Sequence, residues 1–225
     1  MNQRQKVNLL IIVLLIFLLL VTVLIFIRFV IGAKILTEGR QKSEAIFEML
    51  TQEEAPRLNY PAFKTTDPVK GSESAVDTIF VFSSFTCSYC RDQAAVLDQL
   101  LEQNPKVSVI WKDLFSSLDE PARQAALAAR CAQAQNKFWP FHDYLYANQD
   151  GLDSQAYTTI AQTLELDLTK YNQCLANREF EPLIDSDLAE ATGLGIDGAP
   201  YLFVNGQRVS GALELKELAA MFKDN

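Results

Sequence analysis

Cys87 and Cys90 are the residues of this chain whose types and spacing most clearly indicate chemistry. A Cys-x-x-Cys pair is typical either of a redox dithiol or of half a zinc site. A zinc site usually needs two further ligands nearby, but Cys131 and Cys174 lie singly and far along the chain, and His142 is the only histidine. The pattern therefore favours a redox dithiol over zinc and predicts no metal site.

The position of this pair decides which sulfur reacts first. The pair follows a buried strand predicted at 78–83 (TIFVFS) and opens a predicted helix whose apolar face includes Cys90 and Leu97. The N–H groups and the dipole at a helix N-terminus stabilise an anion. We therefore expect Cys87, the more exposed sulfur, to be the attacking thiolate. Cys90, one turn into the helix, is expected to resolve a mixed disulfide formed at Cys87.

The surrounding elements read as an α/β unit with a helical insertion. A second buried strand is predicted at 107–111, extending through Lys112 to about Leu114. Strand–helix–strand with a helix of this length indicates a βαβ unit with parallel strands. Residues 119–192 contain helical signals and no good strand, which predicts an inserted helical subdomain. A strand is then predicted at 201–204, and Asn205-Gly206 is a hairpin turn signal. A further strand at 207–210 and a last helix at 213–222 follow.

A second motif, Gly198-Ala199-Pro200-Tyr201, stands directly before the predicted strand at 201–204. A proline at this point is either an ordinary residue at a strand entrance or a cis proline. The local pattern leaves both interpretations open.

Three stretches of the chain together resemble DsbA-like thiol:disulfide oxidoreductases of the thioredoxin superfamily. The first, DPVKGSESAVDTIFVFSSFTCSYC (67–90), is similar to the opening of these proteins. The second, ARCAQAQNKFWPFHDYLYANQ (129–149), is similar to their inserted helical subdomain, and the third, GLGIDGAPYLFVNGQRVSGAL (193–213), to their cis-proline strand, hairpin and last helix. The resemblance covers roughly residues 67–223.

The resemblance implies a thioredoxin fold with a helical insertion at about 117–192. It implies that Cys87 attacks, that Cys90 resolves, and that Pro200 is a cis proline packed against their disulfide. The backbone of Ala199 would then pair with an extended substrate peptide. No cofactor beyond the dithiol is implied.

Three positions depart from the pattern of the family. Ser84 stands where many relatives have an acidic residue, so we assign no buried acid there. Ser88 and Tyr89 replace the Pro-His dipeptide of strongly oxidising relatives, which predicts a less stable thiolate and a less oxidising disulfide. Ala199, rather than valine or threonine, precedes the proline.

The remaining two cysteines, Cys131 and Cys174, both fall in the predicted helical subdomain. They are either two buried free cysteines, which behave as small hydrophobic residues, or a structural disulfide. An even number of cysteines outside the cytosol, and the presence of such a link in some DsbA-like relatives, favour the disulfide.

The N-terminal segment has a different composition. Residues 7–27 contain no charged residue, and a helix of this length would be about 31 Å long, close to the hydrocarbon core of a bilayer. This predicts a single transmembrane helix within residues 1–33, with an uncleaved signal anchor favoured over a cleaved signal peptide. A stalk at 34–66 and a DsbA-like domain at 67–225 would follow. The positive charges that flank residues 7–27 are nearly balanced and do not give the orientation.

The chain is acidic beyond its N-terminal segment. All 28 acidic residues lie after residue 33, and the net charge of −8 argues against nucleic acid as a partner. The expected function is that of a thiol:disulfide oxidoreductase in the bacterial inner membrane, with its catalytic domain in the periplasm. Its substrates would be unfolded or partly folded secreted or membrane proteins, and a membrane protein of the DsbB or vitamin K epoxide reductase type would re-oxidise it.

Two alternatives remain open at this point. One is a disulfide reductase or isomerase of the same fold. The other is a non-catalytic, membrane-tethered chaperone or assembly factor. The aromatic residues at 138–146 are expected to form core, and His142 is expected at the surface or in a capping role.

Overall fold

The computed structural model describes residues 22, 26, 28, 34, 59–72 and 74–222. Apart from the isolated positions 22 and 26, the predicted transmembrane helix at 7–27 lies outside these residues, as does most of the predicted stalk at 34–66. Among the residues described, no helix has both the length and the apolar character needed to cross a bilayer. The chain divides into two units, Met1–Ala55 and Pro56–Asn225, and the second carries the fold given below.

A five-stranded mixed sheet forms the centre of the second unit. Its strands lie in the order β1-β3-β2-β4-β5. β2 and β3 are parallel, as the predicted βαβ unit requires, and the other neighbouring pairs are antiparallel. The strands are β1 (Val69–Gly71), β2 (Asp77–Ser83), β3 (Val107–Asp113), β4 (Tyr201–Val204) and β5 (Gln207–Ser210).

Seven α-helices and one short 3₁₀ helix are present among the described residues of this unit. The first helix joins β2 to β3, the next five lie between β3 and β4, and the last follows β5. The α-helices are α1 (Ser88–Gln103), α2 (Glu120–Gln133), α3 (Phe138–Ala147), α4 (Ser154–Thr163), α5 (Leu168–Ala176), α6 (Glu181–Gly193) and α7 (Leu215–Ala220), and the 3₁₀ helix is Gln149–Gly151. The predicted thioredoxin-like α/β fold with additional helices is confirmed.

The two faces of the sheet bury alternate residues of the same strands. On one face, Ile79 and Val81 of β2 pack in a large core that includes α1, α7 and the helices that follow β3. On the other face, Phe80 and Phe82 pack in a smaller core with Ala191 of α6. Successive side chains of a strand point to opposite faces of the sheet, and here both faces are covered. For this reason the sequence of β2 is a continuous apolar run.

Strand β1 was not predicted, because its three residues carry no apolar alternation. It pairs with β3 in antiparallel register, with Gly71 opposite Ser108. Gly71 has a φ of +104°, and a Cβ placed there would lie 2.5 Å from the carbonyl oxygen of Val107. Only glycine allows the backbone to approach β3 this closely.

Residues 59–67 pack against the domain, although composition alone placed residues up to 66 in a stalk. The buried Lys112 Nζ donates to the carbonyl oxygen of Ala62 at 2.9 Å, and Arg130 donates to that of Thr66 at 3.2 Å. Lys112 also pairs with Asp67 at 2.9 Å. The segment is therefore held by buried charges that local composition does not reveal.

These groups belong to a larger buried charge cluster. Arg130 Nη2 lies 2.8 Å from Asp113 and 2.7 Å from Asp187, and Lys112 lies 3.0 Å from Glu190. The cluster joins β3, α2, α6 and the segment before β1, and it consists of Lys64, Asp67, Lys112, Asp113, Arg130, Asp187 and Glu190.

Cys131 of α2 and Cys174 of α5 form a disulfide across the helical insertion. Their residues are separated by 43 positions in the chain. The link therefore closes a long loop within the subdomain that carries it.

We expect the free energy of unfolding to fall by about 4 kcal/mol in the Cys131→Ala/Cys174→Ala double variant. Without the disulfide, the unfolded chain regains the conformational entropy that closing a loop of this length removes. Urea denaturation of the variant and the wild-type protein measures this difference. An unchanged midpoint and slope would mean that the helices of the insertion pack as well without the link.

Candidate active site

Cys87 is the N-cap residue of α1 and has an extended backbone with φ −92° and ψ 119°. Its Sγ accepts a hydrogen bond from the backbone N–H of Cys90 at 3.2 Å. The unpaired N–H groups of a first helical turn and the helix dipole stabilise negative charge at this point. Cys87 is only partly buried, so its sulfur can be reached by the sulfur of another protein.

Cys90 differs from Cys87 in its burial. It is 1% exposed, and burial raises the pKa of its thiol to about 12. The hydrogen bond with Cys87 raises the pKa further, whereas a hydrogen bond with the Ser83 side chain lowers it by less. Cys90 is therefore a protonated thiol at neutral pH and must lose its proton before it can act as a nucleophile.

The loop before β4 brings a second motif to the cysteines. The Ala199–Pro200 peptide bond is cis, and the Cys87 thiol donates a hydrogen bond of 3.5 Å to the carbonyl oxygen of Ala199. Pro200 is buried and Ala199 half-buried. The two motifs are 112 positions apart in sequence, and the sheet joins them because β2, which leads to Cys87, pairs with β4, which follows Pro200.

The two residues between the cysteines lie on the surface. Ser88 is exposed, and Tyr89 is 69% exposed. Neither carries a charge at neutral pH, so this dipeptide supplies no cation to the Cys87 sulfur.

Gln149, in the 3₁₀ helix of the insertion, fixes the loop that carries Cys87, and it was not identified from the sequence. Its side-chain N–H groups donate to the carbonyl oxygens of Phe85 at 2.9 Å and Cys87 at 2.8 Å. A glutamine in a polar stretch (NQDG) gives no local signal of this role. The contact depends on the insertion folding back over the start of α1.

A buried pair of hydroxyl groups lies beneath the dithiol. Ser83 Oγ and the Tyr146 hydroxyl are 2.9 Å apart, and the Tyr146 hydroxyl donates to the carbonyl oxygen of Ser84 at 3.2 Å. Burial, together with the nearby Cys90 sulfur, raises the pKa of Tyr146 well above its ordinary value. Tyr146 therefore remains a neutral phenol.

The sequence led us to expect His142 at the surface or in a capping role. In the structure its side chain is buried, with 3% exposed. Its ring packs against the rings of Trp111, Trp139 and Tyr146. Burial lowers its pKa below the ordinary value of 6.5. The expectation was wrong because the aromatic residues around it come from separate elements and enclose a ring that one helix would leave exposed.

Within the residues that the structure describes, no three His, Cys, Asp or Glu side chains are grouped as a metal site.

Comparison with known proteins also identifies a thioredoxin domain. A thioredoxin family model matches residues 64–224. A sodium–proton antiporter, NhaA 3 of Salinispora tropica, is 32% identical over 164 residues, which cover 72% of this chain and 25% of the antiporter. The chain thus spans about a quarter of the length of the curated relatives it matches.

Solved structures share the fold. A thioredoxin-like oxidoreductase from Silicibacter pomeroyi is 26% identical, with a TM-score of 0.62, over 70% of this chain and 91% of that protein. The thiol-disulfide exchange protein α-DsbA2 from Wolbachia pipientis is 21% identical, with a TM-score of 0.65, over 70% of this chain and 86% of that protein. The chain therefore belongs to the thioredoxin family, and it shares the fold of thiol-disulfide exchange proteins such as α-DsbA2.

Proposed function

We propose that the chain works outside the cytoplasm as a thiol:disulfide oxidoreductase that exchanges disulfides with secreted or membrane proteins. The observation that carries this proposal is the placement of Cys87 Sγ. It accepts the Cys90 N–H at the start of α1 and faces the carbonyl oxygen of Ala199 beside the cis proline. Cys87 attacks or is attacked, and Cys90 completes the exchange from inside the protein.

The proposed substrates are extended or partly folded segments of protein. A groove of about 390 Å³ adjoins Ala199, and its apolar lining includes Phe115, Leu188 and Ile196. A peptide lying there would place a cysteine near Cys87, and its backbone would pair with the chain at Ala199. A binding mode of this kind accepts many sequences, since main-chain hydrogen bonds supply much of the affinity.

The Cys131–Cys174 disulfide supports a location outside the cytoplasm, because structural disulfides persist mainly in oxidising compartments. In the proposed arrangement residues 7–27 hold the enzyme in the inner membrane. A membrane protein of the DsbB or vitamin K epoxide reductase type accepts its electrons. The ion exchange named for the antiporter relatives is not proposed for a chain that spans about a quarter of their length.

The direction of electron flow has a second candidate, a reductase or isomerase. It is favoured by the uncharged Ser88-Tyr89 dipeptide, because a less stable thiolate makes a less oxidising disulfide. A reduction potential measured against glutathione buffers separates the two. A value near that of DsbA, about −120 mV, favours the oxidase, and one near that of thioredoxin, about −270 mV, favours the reductase.

The proposal is tested by the activity and the topology of the full chain. We expect the protein to oxidise a dithiol peptide or reduce insulin, and we expect a reporter fused after Asn225 to be active only outside the cytoplasm. A cytoplasmic reporter would contradict the proposed location, since glutathione keeps such dithiols reduced. Two unreactive thiols would favour the non-catalytic chaperone or assembly factor instead.

A further inference from the structure

Cys90 needs a proton acceptor, and the structure contains a cavity through which one can be reached. The cavity is small, about 10 Å³, which is roughly the space that one water molecule requires. Its walls include apolar residues of the core and five polar side chains from β1, β2, α1 and α3: Lys70, Ser83, Cys90, Asp98 and His142.

The two hydroxyl groups beneath the dithiol do not remove the proton. Tyr146 donates to the carbonyl oxygen of Ser84, so the Ser83 hydroxyl donates to Tyr146. This chain of hydrogen bonds ends at a carbonyl group, which does not accept a proton at neutral pH. The two hydroxyl groups therefore do not act as the base for Cys90.

The neutral imidazole of His142 can accept a proton at Nε2. Its Nδ1 lies 2.8 Å from Asp143 Oδ1, and a carboxylate only accepts hydrogen bonds, so Nδ1 carries the ring proton and Nε2 keeps a lone pair. Burial lowers the pKa of the ring, and Asp143, Lys70 and Asp98 are the charged groups that act on it. The ring is neutral at pH 7 as a result.

The other cavity groups are less suited to accept the Cys90 proton. Lys70 Nζ is a cation that binds Asp98 Oδ1 at 2.6 Å, and Asp98 is 43% exposed at its side chain. Asp98 is therefore solvated and already paired. Lys70 also lies 3.7 Å from Asp143.

We infer that His142 Nε2 exchanges the proton of Cys90, directly or through one water in this cavity, during the disulfide exchange that the proposed function assigns to the dithiol. When a mixed disulfide at Cys87 is resolved, the Cys90 proton passes to Nε2, and the Cys90 sulfur attacks Sγ of Cys87. The bond between Cys87 and the substrate sulfur breaks, and the substrate leaves as a thiolate. The dithiol loses two electrons, and the substrate disulfide gains them.

The same groups act in reverse when the enzyme donates its disulfide. A substrate thiolate attacks Cys87, the Cys87–Cys90 bond breaks, and Cys90 leaves with the electron pair. The neutral ring of His142 takes a proton from solvent at Nε2 and passes it to Cys90. Asp143 is a positioning residue in both directions, because it fixes the ring and its tautomer.

Stopped-flow reaction of the reduced full chain with 5,5′-dithiobis(2-nitrobenzoate) tests this inference, because the two steps release separate equivalents of coloured thiolate. The first equivalent reports attack by Cys87, and the second reports attack by Cys90. For His142→Gln we expect the first rate to change by less than about threefold and the second to fall about 100-fold at pH 7, within the range of general-base effects.

The pH profile separates proton transfer from a loss of packing. In the wild-type protein the second rate is expected to rise with pH through the titration of His142 and then level off. In His142→Gln it should rise about tenfold per pH unit from 6 to 9, because only ionisation of Cys90 itself remains. The matched control, Asp98→Asn, alters another polar group of the cavity and should keep both rates at pH 7 within about threefold. Because the Asp98 charge raises the pKa of His142, its loss should move the profile to lower pH but keep its shape.

The outcomes distinguish this inference from the proposed function. Loss of the first equivalent in the wild-type protein would contradict the function. An unchanged second rate in His142→Gln, or a slow second rate in Asp98→Asn, would overturn the role of His142 alone. Nitrogen NMR of the wild-type protein gives a test that needs no variant, because His142 is the only histidine. A proton on Nε2 or a charged ring at pH 7 would also overturn the inference.

Discussion

Replacing Cys87 with serine is expected to abolish disulfide exchange, because no other sulfur at the site can be reached from solvent. Cys90 is 1% exposed, and the remaining two cysteines are joined in a disulfide. A serine hydroxyl at position 87 keeps the N-cap hydrogen bond and the start of α1 but cannot form a disulfide. Peptide oxidation and insulin reduction by the purified chain measure the loss.

The partner variant, Cys90→Ser, is expected to fail at a different step. Cys87 should still react with substrate, but the mixed disulfide should accumulate, because the buried thiol that resolves it is gone. Mass spectrometry under acid quench detects this species.

The matched control for both variants removes the other cysteine pair. Cys131→Ala/Cys174→Ala should keep full exchange activity at temperatures where it is folded. Activity in Cys87→Ser, or trapped substrate on Cys87→Ser instead of Cys90→Ser, would contradict the roles assigned to the two sulfurs.

The elements that carry the dithiol were predictable because their signals are local. The apolar run at 78–83, the cysteines that follow it and the helical spacing of Cys90 and Leu97 specify β2 and α1 without knowledge of the rest of the chain. The Asn205-Gly206 turn is equally local. Both residues adopt positive φ, as a two-residue hairpin turn requires.

The features that were missed depend on contacts between distant segments. Lys112 lies near the end of β3, and its side chain is fully buried with Asp67 and Glu190, which come from distant parts of the chain. Gln149 and His142 acquire their positions only when the insertion closes over α1 and β3. Sequence periodicity shows that a helix has a buried face, but it does not show which charges or rings a second segment will bring to that face.

Replacing Lys112 with methionine is expected to lower the free energy of unfolding by about 3–5 kcal/mol, because it leaves buried carboxylates without their cation. Lys112 Nζ lies 2.9 Å from Asp67, 3.0 Å from Glu190 and 3.7 Å from Asp187, and its side chain is 0% exposed. Methionine fills most of the volume of the lysine side chain. The loss of unfolding free energy therefore reports the missing charge more than a new cavity. Urea denaturation at pH 7.5 gives the value.

Lys64→Met is the matched control for Lys112→Met. Lys64 pairs with two of the same carboxylates, Asp187 at 3.1 Å and Glu190 at 3.5 Å, but its side chain is 29% exposed. Water compensates part of its loss, and we expect a change of about 1 kcal/mol or less. Equal losses in the two variants would mean that burial does not determine the contribution of these cations.

The pH dependence of Lys112→Met tests the electrostatic cause directly. Burial, and then the neighbouring Asp113, raise the pKa of Asp187 from 3.8 to about 6, despite the attraction of Arg130 and Lys112. Stability from a carboxyl with a raised pKa is fully present below its unfolded pKa and is lost as pH rises through the folded one. Without Lys112 the pKa of Asp187 should rise further, so the deficit of the variant should be smaller near pH 4.5 than at pH 7.5. A deficit of the same size at both values would instead assign the loss to the pairs with Asp67 and Glu190, to the hydrogen bond with Ala62 and to packing.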